Sequence, residues 1–291
     1  MYRVLRPFVY HEAMTVKEAS ETLLKYGSKV KVLAGGVDLI PKMRSRELSP
    51  ECIVSIRRIT DLNYIKGDRD TGLKIGALMP LRNVELSPAV ERNYIVLHEA
   101  VHQIASIQVK TMGTLVGNLC VATPASDVAV ALLALGAELK ISSLASERII
   151  SIEDFFIGVN QTILQPSEIV TEALLPGLPP TTGCAFMRLG RTVSDISKIS
   201  VAVTLTVESN TCKDVKIAVG SVAPSVIRAR KSEAILEGQK LEQKIIETAA
   251  EIAVGEVKPI TDIRSTAEYR EEMTKVLVKR AIEKALERVK A

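Results

Sequence analysis

The stretch over residues 104–127, IASIQVKTMGTLVGNLCVATPASD, constrains this chain more than any other. GTLVGN at 113–118 is a turn of small residues, ATPASD at 122–127 is a second, polar turn, and an apolar, helix-like run follows at 128–135. Glycines let main chain approach a ligand closely, because no Cβ stands in the way. Successive outward N–H groups form a concavity that suits phosphate oxygens, and a helix opening just after Asp127 adds positive dipole character nearby. Two ordinary turns between strands would have the same spacing, so the context has to decide. Upstream, VKVLAGGVDLI at 30–40 reads as an apolar strand, two glycines, an Asp and the start of a helix. Two such turns suit a long anionic ligand held at both ends, such as a dinucleotide. Neither is G-x-G-x-x-G, so the usual Rossmann fingerprint is absent.

The rest of the chain reads as alternating elements. Thr15 and Glu18 form a capping box before a helix that Gly27 stops. A strand at 29–34, the glycine turn, a helix at 39–46 and a strand at 51–56 follow, with the glycines at a strand's carboxyl end, where open α/β layers bind ligands. Residues 63–67 and 73–76 predict short antiparallel strands about a polar turn. The periodicity over 88–104 predicts one helix, and strands are expected at 137–141 and 169–175. PGLPP at 176–180 is the best domain boundary. Beyond it lie strand-like runs at 184–188, 199–208 and 215–219, then helix-like runs at 226–236, 241–254 and 267–289, an α+β pattern. The expected division is 1–177, with lobes about 1–57 and 58–177, and 178–291.

Composition excludes several classes. With 291 residues, 47% hydrophobic and 25% charged, the chain is long enough for two globular domains. A net charge of +4, with no interleaving of basic and aromatic residues, argues against a nucleic-acid protein. No run of about 18 apolar residues predicts a membrane span. Cys52, Cys120, Cys184 and Cys212 lie far apart, without a C-x-x-C pair, and read as reduced thiols. With no apolar signal core at the N-terminus, a cytoplasmic location is expected. HEAVH at 98–102 matches H-E-x-x-H, but the only other histidine is His11, so a packing or solvated helix is expected there and no metal.

AGGVDL at 34–39 resembles the AGGTDL turn of the FAD-binding medium subunit of molybdenum hydroxylases, the family of carbon monoxide dehydrogenase and xanthine dehydrogenase flavoproteins. TLVGN at 114–118 is similar to that family's T-I-G-G-N-L, ATPASD at 122–127 to its A-S-P-x-x-D, and FMRLGR at 186–191 with Asp195 and Ile196 to its F-x-K-x-x-x-R…D-I-A. The opening FVY at 8–10 and AEYR at 267–270 also fit, so the resemblance runs from about residue 8 to 285. It implies an α+β fold: a two-lobed vanillyl-alcohol-oxidase-type FAD-binding domain, then a smaller C-terminal domain of the CO dehydrogenase flavoprotein type. It implies an oxidoreductase subunit carrying FAD and no catalytic side chain of its own. Electrons would come from [2Fe–2S] clusters of an iron–sulfur small subunit, beside a molybdopterin large subunit, and leave to an external acceptor in a cytoplasmic heterotrimer.

By the same resemblance FAD would touch Val32, Leu33, Ala34, Gly35, Gly36, Val37, Asp38, Leu39, Ile104, Gly113, Thr114, Leu115, Val116, Gly117, Asn118, Asp127, Val170 and Arg188. Asp127 would bond the cofactor near its ribose or pyrophosphate. Arg188 would set a cation near the flavin ring, where the family more often has Lys; the alternative is a surface arginine pairing with Asp195. Asp38 and Asp127 are also expected to cap the helices that follow them. Val116 replaces a family glycine, so either its φ is ordinary or the turn is altered. Val37 replaces a threonine hydroxyl. A side chain at Gly117 is expected to occupy phosphate space. A stand-alone flavin oxidoreductase and a flavin-free scaffold are the competing functions.

Overall fold

A computed structural model describes residues 4–192 and 194–290. The first lobe is a three-stranded parallel sheet in which β1 (Val9–Glu12) and β2 (Val30–Leu33) flank β3 (Cys52–Ser55). Helix α1 (Val16–Tyr26) starts at Thr15, whose hydroxyl accepts from the Glu18 N–H at 3.1 Å, and ends at Gly27 with φ +55°. The Glu18 carboxylate reaches one residue further back than a capping box requires, accepting from the Met14 N–H at 2.7 Å. Helix α2 (Leu39–Ser45) opens directly after the glycine turn.

The second lobe is built on a five-stranded antiparallel sheet with order β4-β5-β10-β6-β7. Its strands are β4 (Ile65–Asp68), β5 (Gly72–Gly76), β6 (Glu138–Ser142), β7 (Glu147–Ser151) and β10 (Ile169–Leu175). Between β5 and β6 run α3 (Leu81–Glu85), α4 (Pro88–Asn93), α5 (Ile95–His102), α6 (Ile107–Met112), α7 (Leu115–Cys120) and α8 (Asp127–Leu135). A small hairpin, β8 (Phe156–Gly158) with β9 (Gln161–Thr162), leads into β10.

The single helix expected over 88–104 is two helices broken at Tyr94, which sits at φ −131° and ψ 54°. The break turns a wholly buried phenol toward the far end of β10, where its hydroxyl donates to Pro176 O at 2.9 Å. A buried hydroxyl without a partner is costly, and the kink provides one. The turn expected at 113–118 is likewise the opening of a helix. Thr114 caps α7 by accepting from the Gly117 N–H at 3.0 Å.

The third unit is a four-stranded antiparallel sheet of β11 (Thr182–Leu189), β12 (Ile199–Glu208), β13 (Thr211–Gly220) and β14 (Ile227–Arg228). Helices α9 (Arg230–Leu236), α10 (Gln243–Val254) and α11 (Ala267–Lys290) complete it. The helix expected over 226–236 therefore begins as a short strand. Side chains alternate across the sheet as strand geometry requires. Ala185, Val201, Val203 and Ile217 face Val278, Ala281 and Ile282 of α11. Phe186, Ala202 and Ala218 join the core of the second lobe instead.

That second face rests on α8, every residue of which is buried. A helix apolar all round can exist only between two layers, and α8 lies between the lobe and this sheet. At the 176–180 segment the Arg69 guanidinium donates to the carbonyls of Leu178 and Pro179 at 3.3 and 3.0 Å, so the expected boundary is pinned to the β4–β5 turn.

Glu99 on α5 ties the second lobe to the last helix, α11. Its carboxylate takes Lys284 Nζ at 2.8 Å, Arg288 Nη2 at 2.6 Å and the Phe186 N–H at 3.0 Å. Burial raises this carboxyl, but the bonds from Arg288, Lys284 and Phe186 outweigh it and hold its pKa below the ordinary carboxylate value. A depressed folded pKa means the stabilisation is complete above the ordinary carboxylate value and is lost as pH falls through the folded one. Glu99→Ala is expected to cost about 2 kcal/mol of unfolding free energy at neutral pH. The cost should shrink in acid, and denaturant titrations at pH 7 and pH 3 would show an equal loss at both if this account were wrong.

Candidate functional site

The two lobes enclose a cleft of about 600 Å³, within the range of small-molecule and cofactor sites. The first lobe supplies the end of β2 and the turn into α2. The second supplies Ile104, α6, the start of α7 and the beginning of β10.

The turns meet main chain to main chain. A Cβ on Gly35 would collide with Met112 O and stand 2.9 Å from Gly113 Cα. Gly36 has φ +78°, a conformation L side chains rarely adopt. Two glycines in sequence are thus required twice over, once for approach and once for backbone geometry. Among the described residues, the N–H groups of Gly36, Val37 and Asp38 donate to no protein acceptor, as expected at the opening of a helix. On the opposite wall, the Leu81 N–H donates to Gly113 O at 2.8 Å and the Leu115 N–H to Met79 O at 3.1 Å. These bonds fix the second turn from behind. A cleft with bare main chain on one side and apolar Ile104, Val109, Ile169 and Val170 on the other fits a cofactor with a diphosphate and a flat aromatic ring.

Of the residues expected from sequence, Val32, Ala34, Gly35, Gly36, Val37, Asp38, Leu39, Ile104, Gly113, Thr114, Val116, Gly117, Asn118 and Val170 come together on this cleft. Leu33, Leu115, Asp127 and Arg188 do not line it. The Leu33 side chain lies under Gly36, and Leu115 is wholly buried. Asp127 is not a helix cap either, because Ser126 accepts from the Ala129 N–H at 3.1 Å and takes that role. The Asp127 carboxylate accepts from the Ser197 hydroxyl at 2.7 Å and lies 3.7 Å from Arg188 Nη1. Burial pushes its pKa above the ordinary value, against the pull of Ser197 and Arg188.

Arg188 is buried and donates to the carbonyls of Gln103 and Asp195, while the Asp195 carboxylate pairs with Arg191 at 2.6 Å. It therefore braces the residue next to Ile104 from behind the wall. Asp38 likewise caps nothing and instead pairs with Lys42 at 3.0 Å. Val116 has an ordinary helical φ within α7 and is 3% exposed, so the glycine's replacement leaves the turn intact. A Cβ at Gly117 would meet Thr114 Oγ1 at 2.6 Å, so the glycine serves the cap more than open phosphate space.

Sequence reasoning missed Val109, Cys120, Thr123, Asn160 and Ile169 on the cleft. Asn160 has φ +55° and donates its N–H to Ala122 O at 2.9 Å across the mouth, a juxtaposition no local motif marks. Cys120 lies at the cleft as an exposed, unpaired thiol. In the HEAVH stretch the His98 and His102 rings stack at 6.1 Å, and Glu99 is held by Lys284 and Arg288.

Residues 6–178 match the family described as FAD binding domain in molybdopterin dehydrogenase, and residues 184–285 the CO dehydrogenase flavoprotein C-terminal domain. The chain is 31% identical over 278 residues to the carbon monoxide dehydrogenase medium chain of Hydrogenophaga pseudoflava, covering 96% of each. It is 33% identical over 274 residues to the glyceraldehyde dehydrogenase medium chain of Sulfolobus acidocaldarius, covering 94% of this chain and 96% of that one. A solved structure of carbon monoxide dehydrogenase from Hydrogenophaga pseudoflava superposes with a TM-score of 0.95 at 31% identity, over 98% of this chain and 99% of that one. Quinoline 2-oxidoreductase from Pseudomonas putida 86 follows at 0.90 and 25% identity, over 98% of each chain. These likenesses bear out the expected fold, an FAD-binding domain followed by a CO dehydrogenase flavoprotein-type domain.

Gly35→Ala should prise the turns apart, since main chain on both sides of the new methyl cannot yield. The bound flavin measured in purified protein should fall by about tenfold or more. Gly117→Ala should cost less, because Thr114 can swing away and forfeit only its cap, about 1 kcal/mol. Equal flavin content in the Gly35 variant and the wild type would overturn this account of the cleft.

Proposed function

This chain belongs to the FAD-binding medium subunits of the molybdenum hydroxylases, and we propose that it is the flavin end of a three-subunit electron relay. It is an oxidoreductase subunit, and its cofactor is FAD. Residues 1–177 would hold the cofactor, and residues 178–291 would brace that domain through α8. The observation that carries the reading is the contact of two glycine turns across a cleft of cofactor size.

Bound FAD would supply the electron-carrying chemistry that links [2Fe–2S] donors on a small subunit to an external acceptor, with substrate oxidised on a molybdopterin large subunit. This chain's residues bind and orient. The free N–H groups of Gly36, Val37 and Asp38 would hold the diphosphate, the 113–118 turn would close against them, and Ile104 and Val170 would lie against the ring. Asp127 and Arg188 would act from behind the wall, fixing the loop that carries Ile104. The names of the relatives support the partners, since 6-hydroxypseudooxynicotine dehydrogenase of Paenarthrobacter nicotinovorans is described as a complex with subunits. Four unpaired cysteines suit a reducing compartment such as the cytoplasm.

The purified chain should bind one FAD, show an oxidised flavin spectrum and accept electrons from a chemical reductant. It should oxidise no organic substrate until co-expressed with iron–sulfur and molybdopterin subunits. Substrate turnover by the isolated flavin-loaded chain would replace this proposal with a stand-alone oxidoreductase, and failure to bind FAD would replace it with a scaffold.

A further inference from the structure

Behind the cleft wall lies a second charged pair that the flavin-site residues do not include. Glu85 on α3 and Lys110 on α6 have side chains only 5% exposed, with Lys110 Nζ 2.8 Å from Glu85 Oε1. The Glu85 carboxylate also takes Arg82 Nη1 at 2.7 Å and lies 2.9 Å from His102 Nδ1. Lys110 Nζ has a further partner, His102 O, to which it donates at 3.0 Å. The very next carbonyl, Gln103 O, accepts from Arg188. Two buried cations thus grip consecutive carbonyls at the end of α5, each balanced by its own buried carboxylate.

The segment they grip leads straight into the cleft. Ile104 lines it; Ala105 follows with φ +38°, unusual for a residue with a side chain; Ser106 then caps α6 by accepting from the Val109 N–H. Val109 and Gly113 line the cleft again, and Met112 O meets Gly35. A strained backbone conformation persists only where its surroundings over-determine it. A fully buried ion pair adds little to stability compared with an apolar pair of the same volume, because desolvation offsets the attraction. What such a pair does provide is a fixed geometry, since Nζ must meet the carboxylate and the carbonyl together.

We infer that Lys110, held by Glu85, is a positioning residue for the flavin wall: it fixes the 103–106 loop and the axis of α6, and through them the places of Ile104, Val109 and Gly113. The inference rests on the reading of the cleft as the FAD site. Burial pushes the Glu85 carboxyl up, but the hydrogen bonds from Lys110, Arg82 and His102 outweigh it and keep it below the ordinary value.

The test uses the full chain and FAD, with three readouts: FAD dissociation constant, visible circular dichroism of the bound flavin, and thermal unfolding of the cofactor-free protein. Lys110→Met should weaken FAD binding about tenfold and change the dichroism. The double variant Glu85→Leu with Lys110→Met should recover the unfolding midpoint but not the affinity or the dichroism. Lys110→Arg, which keeps the cation, should bind within about threefold of wild type. A stable double variant with wild-type affinity and dichroism would overturn the inference, and so would a double variant that fails to fold beside a normal Lys110→Arg, which would assign the pair to folding. Failure of the wild type to bind FAD would instead overturn the reading of the cleft.

Discussion

Gly35 touches the main chain of Met112 and Gly113 with nothing between them, and the geometry of the cleft follows from that contact. A parallel sheet ends at one turn and a nest of short helices at the other. Neither turn could approach so closely with a side chain in place. The second turn is in addition locked to the rest of its lobe by Leu81 and Leu115 N–H bonds and by the bridge of Pro80 to Thr114. The contact is therefore between two fixed surfaces, which is what a site needs in order to bind without first paying to order itself.

Rigidity is supplied in layers. Apolar side chains and bare N–H groups face the cleft, buried cations on carbonyls stand behind them, and α8 lies behind those. Because α8 packs on both the second lobe and the β11–β13 sheet, the third unit is part of the cofactor domain's support rather than an appendage. The same logic explains why Asp127 and Arg188 matter without lining the cleft: each satisfies a buried partner one shell back.

Local chemistry made the first lobe legible in sequence. Thr15, Gly27 and the paired glycines each act on the residues beside them. Long apolar strands at 169–175 and 199–208 were equally plain, since a buried strand reads as a continuous apolar run. Helices α6 and α7, at six residues each, are too short to show a period, and their caps, Ser106 and Thr114, are evident only in the structure. The break at Tyr94 was invisible because its cause, Pro176 O, lies in a distant part of the chain. Asp127 was misread as a cap for a similar reason. Ser126 could cap as well, and only the buried Ser197 and Arg188 decide which of the two does.

The clasp of Glu99 by Lys284 and Arg288 joins residues that a ribosome emits far apart in time. The central helix α8 must wait, half uncovered, until the third sheet arrives, and the clasp can close only when the last turns of α11 have emerged. Contacts of such long sequence separation slow folding, because loop closure has to precede any gain from them. A nascent chain stalled before its final helix would expose an apolar face to chaperones while its nucleotide turns were already complete.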